Sequence, residues 1–459
     1  MADTVKIISP VNGQVYAERR VATGSEIEAA ISRARAAQRD WRRASLAERA
    51  DAVTKFIDAL VAVNDEIVPE LAWQMGRPVR YGGEKRGVEE RGRYMIDLAP
   101  HALAPVVPAE KPGFVRRVIR EPVGIVLVIA PWNYPFMTAL NSIVPGLVAG
   151  NAVILKHATQ TLLVGERIAA AAKAAGLPEG LFQNLVLSHA DTEALIGSGR
   201  IDHIQFTGSV EGGRRIEKAA AGTFASMGLE LGGKDPAYVC ADADLDDAVS
   251  NLVDGAFFNS GQSCCGVERI YVAAPVFENF LDRFVENAKG WTLGDPFDPE
   301  TVVGPMAQTR FADHVRGQIA EAERKGARAL LNSSAGRGEG SPWLAPEILV
   351  DVNHQMSIMT EESFGPVVGI MKVADDEEAI SLMNDSPYGL TASVWTADLD
   401  VAARLANELE TGTVFANRCD YIDPALCWTG VKDTGKGGAM GELGYHALTQ
   451  PKSIHLKSL

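Results

Sequence analysis

The chain has 459 residues, 46% hydrophobic and 22% charged, with a net charge of −15 and a pI near 5.1. That length exceeds one compact core, so two or three domains are expected, and the acidic balance disfavours a nucleic-acid or anionic-membrane surface. No apolar run approaches the ~20 residues of a membrane-spanning helix, and the amino terminus MADTVKIISP has no signal-like apolar stretch.

The expected location is therefore the cytosol. Five cysteines (240, 264, 265, 419 and 427), with no CxxC pair and no HExxH, read as reduced thiols rather than a disulfide or zinc framework. Residues 25–75 are predicted to be helical. Ser25 with Glu28 fits a capping box, and Ile27, Ala30, Ile31, Ala34 and Trp41 keep near-helical spacing. From about residue 112, VRRVIREP reads as extended, and VGIVLVIAP follows as the nearly continuous apolar run of a parallel strand covered on both faces. A helix over 137–149, a strand over 152–156 and a helix stopped by Gly176 and Pro178 come next. A strand over 203–206 and a helix from Ser209 complete an alternation that predicts a doubly wound α/β sheet. A second α/β pattern follows LELGG: PAYVC, a helix over 244–259, ERIYVAA and a helix from Val276. Stretches 294–305 and 333–346 read as loops. The last residues, PKSIHLKSL, alternate like an edge strand able to pair with another subunit.

Four segments have the residue types that chemistry requires. In FFNSGQSCCG, glycine and small polar residues precede Cys264 and allow close backbone approach, and a thiol whose surroundings favour the thiolate is a nucleophile. Glu230 in GLELGGKDP sits among apolar residues, where desolvation raises a carboxylate toward the range of a general base. HIQFTGSVEGGRR reads as strand, tight turn and helix start, so Gly208 and Ser209 present N–H groups suited to a phosphate, although GxGxxG is absent. In PWNYP, after an apolar strand, Asn133 can aim its amide at a developing oxyanion. Each also has a plain structural reading: a buried small cysteine, a capping or ion-paired glutamate, an ordinary turn. The GRGEG run at 336–340 has no preceding strand and reads as a decoy.

PWNYP, the lysine of AGNAVILKHA, FTGS-xxx-G, LELGGK, GQSC and EESFGP occur in one order, and together they resemble the aldehyde dehydrogenase superfamily over roughly residues 9–456. The resemblance implies a Rossmann-like cofactor-binding domain (1–104 and 123–229), an α/β catalytic domain (230–415) and a small β bridging element for oligomerisation (105–122 and 440–459). It implies Cys264 as nucleophile, Glu230 as general base and Asn133 as oxyanion donor. For NAD or NADP it implies Lys156 at the adenosine ribose, Gly208, Ser209 and Gly213 at the pyrophosphate turn, Glu362 at the nicotinamide ribose, and Trp132, Thr159, Leu231 and Phe364 around them. The implied reaction oxidises an aldehyde to its acid through a thioester on Cys264, with no metal, and the implied assembly is a homodimer or homotetramer. Because the coenzyme A-acylating branch commonly lacks the glutamate, Glu230 favours hydrolysis over that alternative. A non-catalytic relative keeping only the fold is the other alternative.

Three departures from the family pattern stand out. KHAT replaces KP-x-E, so His157 stands for proline and Thr159 for the glutamate of NAD-preferring members, which removes a repulsion against a 2′-phosphate. NLVLSHAD before Asp191 lacks the usual Gly-rich turn. By alignment Ala439 occupies the place of a glutamate proposed elsewhere to relay protons, so no relay can pass through that side chain. The expected substrate wall is Tyr134, Met137, Asn141, Ser263, Cys265 and Trp428, and Arg418 at the mouth is expected either to attract an acidic or oxygenated aldehyde or to form a surface ion pair. Asn141 stands where semialdehyde enzymes commonly carry a carboxylate-binding arginine.

Overall fold

The computed structural model describes residues 3–331 and 338–458; Gly336 and Arg337 of the GRGEG run lie outside them. The chain opens with an antiparallel hairpin, β1 (Thr4–Ile8) and β2 (Val15–Arg20). The long amphipathic stretch then breaks into three helices: α1 (Gly24–Trp41), α2 (Leu46–Ala62) and α3 (Asn64–Met75). The capping box of α1 is Thr23 with Glu26, not Ser25 with Glu28. The Thr23 hydroxyl accepts from the Glu26 N–H at 3.3 Å and the Glu26 carboxylate accepts from the Thr23 N–H at 2.7 Å. Glu28 pairs with Arg200 instead. A second box, Ser45 with Glu48, starts α2, and Gly76 in the left-handed conformation (φ 80°) ends α3. Helix α4 (Lys85–Ala102) follows.

The first sheet is built from β4 (Ile125–Ala130), β5 (Ala152–His157), β6 (Phe182–Asn184), β7 (His203–Thr207) and β8 (Ser226–Glu230). Helices α5 (Pro135–Val148), α6 (Leu162–Ala174), α7 (His189–Gly197) and α8 (Val210–Ala220) connect them. These strands are parallel in the order β8-β7-β4-β5-β6. Every residue of β4 and β5 is buried, which is why both segments read as unbroken apolar runs. The chain moves outward from β4 through β5 to β6, then crosses back to place β7 on the other side of β4. The crevice at the carboxyl ends of β4 and β7 is therefore the point where strand order reverses, the place where open α/β sheets bind ligands.

The second sheet contains β9 (Asp235–Val239), β10 (Val267–Ala273), β11 (Arg328–Ala329), β12 (Glu347–Val350), β13 (Val367–Val373), β14 (Thr391–Trp395) and β15 (Thr413–Ala416). Its order is β11-β12-β13-β10-β9-β14-β15, parallel apart from β11. Helix α9 (Leu245–Phe257) precedes β10 and stops short of the expected Asn259, because Asn259 and Ser260 take left-handed conformations (φ 54° and 58°). Near the carboxyl end, β16 (Gly435–Lys436) returns to the first sheet, antiparallel to β8 beside Glu230. The last strand, β17 (Thr449–Lys457), pairs antiparallel with β3 (Phe114–Pro122) of its own chain. Its alternating pattern thus has an intrachain partner as well as whatever a neighbour offers. Among the described residues no helix is long and apolar enough to cross a membrane.

The two hydroxyls at the start of α1 separate in a simple test. Thr23→Ala should cost about 1 kcal/mol of local stability, read as faster amide exchange in the first turn of α1, whereas Ser25→Ala should leave that exchange unchanged.

Candidate active site

Cys264 follows a backbone that only particular residues tolerate. Asn259, Ser260 and Gly261 are three successive left-handed residues (φ 54°, 58° and 67°), and two of them are not glycine. Such conformations cost of order 1 kcal/mol or more each and persist only when neighbours hold them. A Cβ on Gly261 would lie 2.2 Å from the Gly365 carbonyl oxygen, so glycine lets this turn lie against the EESFGP loop. The Asn259 amide donates to the Asn133 carbonyl at 3.2 Å and to the Gln262 carbonyl at 3.3 Å, and the Ala307 N–H donates to Gln262 Oε1 at 2.8 Å. Cys264 itself is half-buried.

The PWNYP turn is held from beneath by an ion pair. Arg77, buried just after α3, donates to Glu84 at 2.5 Å, to Asn259 Oδ1 at 3.2 Å and to the Asn133 carbonyl. Glu84 also accepts from the N–H groups of Phe136 (3.0 Å) and Met137 (2.8 Å), the unpaired donors at the start of α5. Asn133 Nδ2 donates to the Gln262 carbonyl at 3.2 Å. The turn and the cysteine loop are thereby tied together through the asparagine proposed from the sequence.

Glu230 closes β8 and is buried. Gln205 donates to one of its oxygens at 3.0 Å and Thr207 to the other at 3.1 Å. Burial pushes its carboxyl up to about 7, with Thr207, the Arg91 charge and Gln205 opposing. Neither sequence-level structural alternative, a helix cap or an arginine pair, is what the carboxylate makes. The Leu231 N–H donates to the Thr434 carbonyl at 2.9 Å, so the β16 segment fixes the loop after Glu230.

The crevice side has the residues expected for a dinucleotide. Lys156 is buried at the end of β5, burial lowers its pKa, and its ammonium has no hydrogen bond or ion pair to protein among the described residues. Thr159, exposed just beyond it, presents no carboxylate. His157 is buried, its ring bonds to the Pro135 carbonyl at 3.1 Å, and burial holds its pKa at about 4, so it is a structural residue. Ser209 caps α8 through the Gly212 N–H at 3.2 Å, and the Gly208 N–H donates to the Glu230 carbonyl at 3.0 Å. A Cβ on Gly213 would sit 2.6 Å from the Leu231 side chain, so that glycine lets α8 pack on the LELGG loop. Across the crevice, Glu362 accepts from the Gly233 N–H at 3.0 Å, and burial followed by the Glu268 charge raises its pKa to about 8. Buried Lys234 donates to Glu268 at 2.6 Å and to Ser363 at 2.9 Å, locking the EESFGP loop. Trp132 stacks on Phe311 (5.2 Å) and meets Phe364 edge-on (5.5 Å). An orphan ammonium, a capped helix start and a raised carboxylate around one strand-end crevice fit a dinucleotide.

Of the expected substrate wall, Tyr134 lies with its ring 5.1 Å from the Arg77 guanidinium and is buried enough to raise its pKa well above the ordinary value. Met137 packs against Gly87, and Asn141 is buried on α5. Cys265 donates to Asp420 at 2.9 Å, and Ser263 does so at 2.8 Å. Trp428 is buried in backbone pairing with Ala439. Arg418 is exposed, its guanidinium 3.4 Å from the Tyr421 ring centre, and it has no carboxylate partner among the described residues. The surface ion pair expected as one reading of Arg418 is therefore not formed among the described residues. Arg77, Glu84, Arg91, Gln205, Thr207 and Asp420 are the site-side groups that motif reading did not single out. The first two are visible only as one buried pair, and the rest only by contact.

The aldehyde dehydrogenase family model matches residues 1–454. A succinate-semialdehyde dehydrogenase [NADP(+)] from Mycobacterium avium is 33% identical, covering 99% of this chain and 97% of the relative. A 3,6-anhydro-alpha-L-galactose dehydrogenase from Streptomyces coelicolor is 34% identical, covering 99% and 93%. Among solved structures, an indole-3-acetaldehyde dehydrogenase complexed with NAD+ superposes with a TM-score of 0.92 at 31% identity, covering 99% and 93%. The chain belongs to the aldehyde dehydrogenase family and is an NAD(P)-dependent oxidoreductase acting on aldehydes.

Proposed function

We propose that this chain oxidises an aldehyde to its carboxylic acid through a thioester on Cys264 that water hydrolyses. The observation that supports this most is Glu230, a buried carboxyl pushed up to about 7 at the end of β8, in the segment whose Gly233 packs against the Cys264 carbonyl. Cys264 as thiolate adds to the carbonyl carbon. The alkoxide that forms takes hydrogen bonds from the Asn133 amide and the Cys264 backbone N–H, each donor contributing ~3 kcal/mol of transition-state stabilisation. The nicotinamide supplies the hydride acceptor. Lys156, Gly208, Ser209, Gly213 and Glu362 hold the coenzyme, with Trp132, Thr159, Leu231 and Phe364 around it. Glu230 then takes a proton from water as the water attacks the thioester, and the Cys264 sulfur leaves as thiolate. Tyr134, Met137, Asn141, Cys265 and Trp428 wall the aldehyde, with Arg418 outside them.

The proposed domain division is 1–104 with 123–229, 230–415, and 105–122 with 440–459; the two large sheets and the β3–β17 ribbon support it. The exposure of Val107, Val115 and Leu456 supports that ribbon as a contact between subunits of a homodimer or homotetramer. The cytosol is the proposed location.

The direct test is absorbance at 340 nm with a panel of aldehydes, each with NAD and NADP and without coenzyme A. Wild type should reduce coenzyme and Cys264→Ala should not; a requirement for coenzyme A would favour the acylating alternative. Glu230→Gln should keep a first-turnover burst of about one equivalent, with steady turnover lowered ~10²-fold or more. A base must be ionised to act, so the wild-type hydrolytic step should rise with pH through about 7, and the variant should lack that rise. Thr159→Glu should lower kcat/KM for NADP by ~10-fold or more relative to NAD through repulsion of the 2′-phosphate. An unchanged ratio would remove Thr159 from coenzyme choice.

A further inference from the structure

Arg91 on α4 is a guanidinium near Cys264 and Cys265 that the protein leaves almost unsatisfied. At Gly87 the helices α4 and α5 touch so closely that a Cβ would fall 1.9 Å from the Met137 sulfur. One turn further along both helices, the half-buried Arg91 reaches the side-chain oxygen of Asn141 at 3.5 Å, the outer limit of a hydrogen bond. Among the described residues it has no other hydrogen bond and no ion pair. The other buried arginines differ. Arg77 has Glu84, Asn133 and Asn259, and Arg269 donates to the carbonyls of Lys234, Leu382 and Met383.

The acidic groups around Arg91 are committed elsewhere. Glu84 serves Arg77 and the start of α5, Glu90 accepts from the Tyr421 hydroxyl at 2.5 Å, Asp420 accepts from Ser263 and Cys265, and Glu230 accepts from Gln205 and Thr207. Arg91 is nevertheless close enough that its charge acts on Glu230, Asp420, Cys264 and Cys265. A partly desolvated guanidinium with free N–H groups, standing among the site's own residues, is a built anion subsite.

We infer that Arg91 binds an anionic group of the substrate, so that the preferred aldehyde carries a carboxylate a few carbons from its carbonyl. This rests on the reading of Cys264 and Asn133 as the reacting centre. Asn141 on α5 leans its side-chain oxygen toward the guanidinium supplied by α4.

Two readouts test it. The first is the ratio of kcat/KM for succinate semialdehyde to that for butyraldehyde, equal in carbon number and different in charge. Wild type should favour the acid-bearing aldehyde, Arg91→Gln should lower the ratio ~10–100-fold, and Arg91→Lys should retain part of it. An unchanged ratio, or a wild-type preference for butyraldehyde, would overturn the proposal. So would an equal loss for both aldehydes with slower alkylation of Cys264 across pH, because Arg91 would then act on the thiolate. The second readout needs no turnover: succinate should slow iodoacetamide labelling of Cys264, followed by peptide mass, and Arg91→Gln should need ~10-fold more succinate for equal protection. Protection without any aldehyde oxidation would sink the dehydrogenase reading and leave the subsite standing. Oxidation without protection by succinate would do the reverse.

Discussion

Arg77 donates to Glu84, to the Asn133 carbonyl and to Asn259, and through those three bonds it joins the end of α3, the start of α5 and the cysteine loop. All of these partners are buried. Two charges removed from water in this way hold together only when their remaining hydrogen-bonding capacity is met, and removing one partner of such a pair typically costs ~3–5 kcal/mol. Here that capacity is met by backbone: Glu84 takes the open N–H groups of α5, and Arg77 takes the carbonyl of Asn133. The pair therefore adds little net stability over an apolar substitute of the same shape. What it contributes is direction, because the asparagine side chain can point only where its own backbone is held.

The same principle explains the glycines of the motifs. Gly261 allows the left-handed turn before Cys264 to lie against the Gly365 carbonyl. A Cβ on Gly232 would fall 2.3 Å from the Glu362 carboxylate, and one on Gly233 would fall 2.8 Å from the carbonyl oxygen of Cys264. Three loops from separate parts of the chain thus pack where no Cβ would fit. Close backbone packing leaves each loop little room to relax, and this is how two non-glycine residues, Asn259 and Ser260, remain in a conformation that costs of order 1 kcal/mol each. The strain is offset by the amide of Asn259, which finds two carbonyls in that geometry.

The alternation of apolar runs with helices was legible because parallel strands covered on both faces leave an unbroken apolar trace, and β4 and β5 do so. Helix ends were less legible. Thr23–Glu26 and Ser25–Glu28 satisfy the same capping pattern, and only the extended backbone of Thr23 decides between them. The breaks between α1, α2 and α3 fall within one continuous amphipathic trace, so periodicity runs across them. For the site, motif order singled out Cys264, Glu230 and Asn133 because each is embedded in residues of special backbone need. Arg77 and Asn133 are 56 residues apart, and Ser263 and Asp420 are 157 apart; periodicity and local spacing contain no information about such pairings. The partner of the last strand was hidden for a related reason, since alternation reports an exposed face and not the strand it meets.

The acids of the site show how one fold tunes like groups apart. Burial raises both Glu230 and Glu362, to about 7 and about 8. At Glu230 neutral donors oppose that rise, the Thr207 hydroxyl first, with the Arg91 charge also pulling downward. At Glu362 the Glu268 carboxylate adds to the rise, although Glu268 is itself bound by Lys234 and by the N–H groups of Ser363 and Phe364. A water-activating base needs its proton affinity near the ambient pH, so that it is ionised yet still able to accept, and Glu230 meets that condition. A carboxyl group that holds a sugar hydroxyl needs no such match, because either protonation state can hydrogen-bond. The sequence motifs place a glutamate in each position, but what sets the two apart is their surroundings: hydroxyl and amide donors on the β7–β8 side, a second carboxylate on the other.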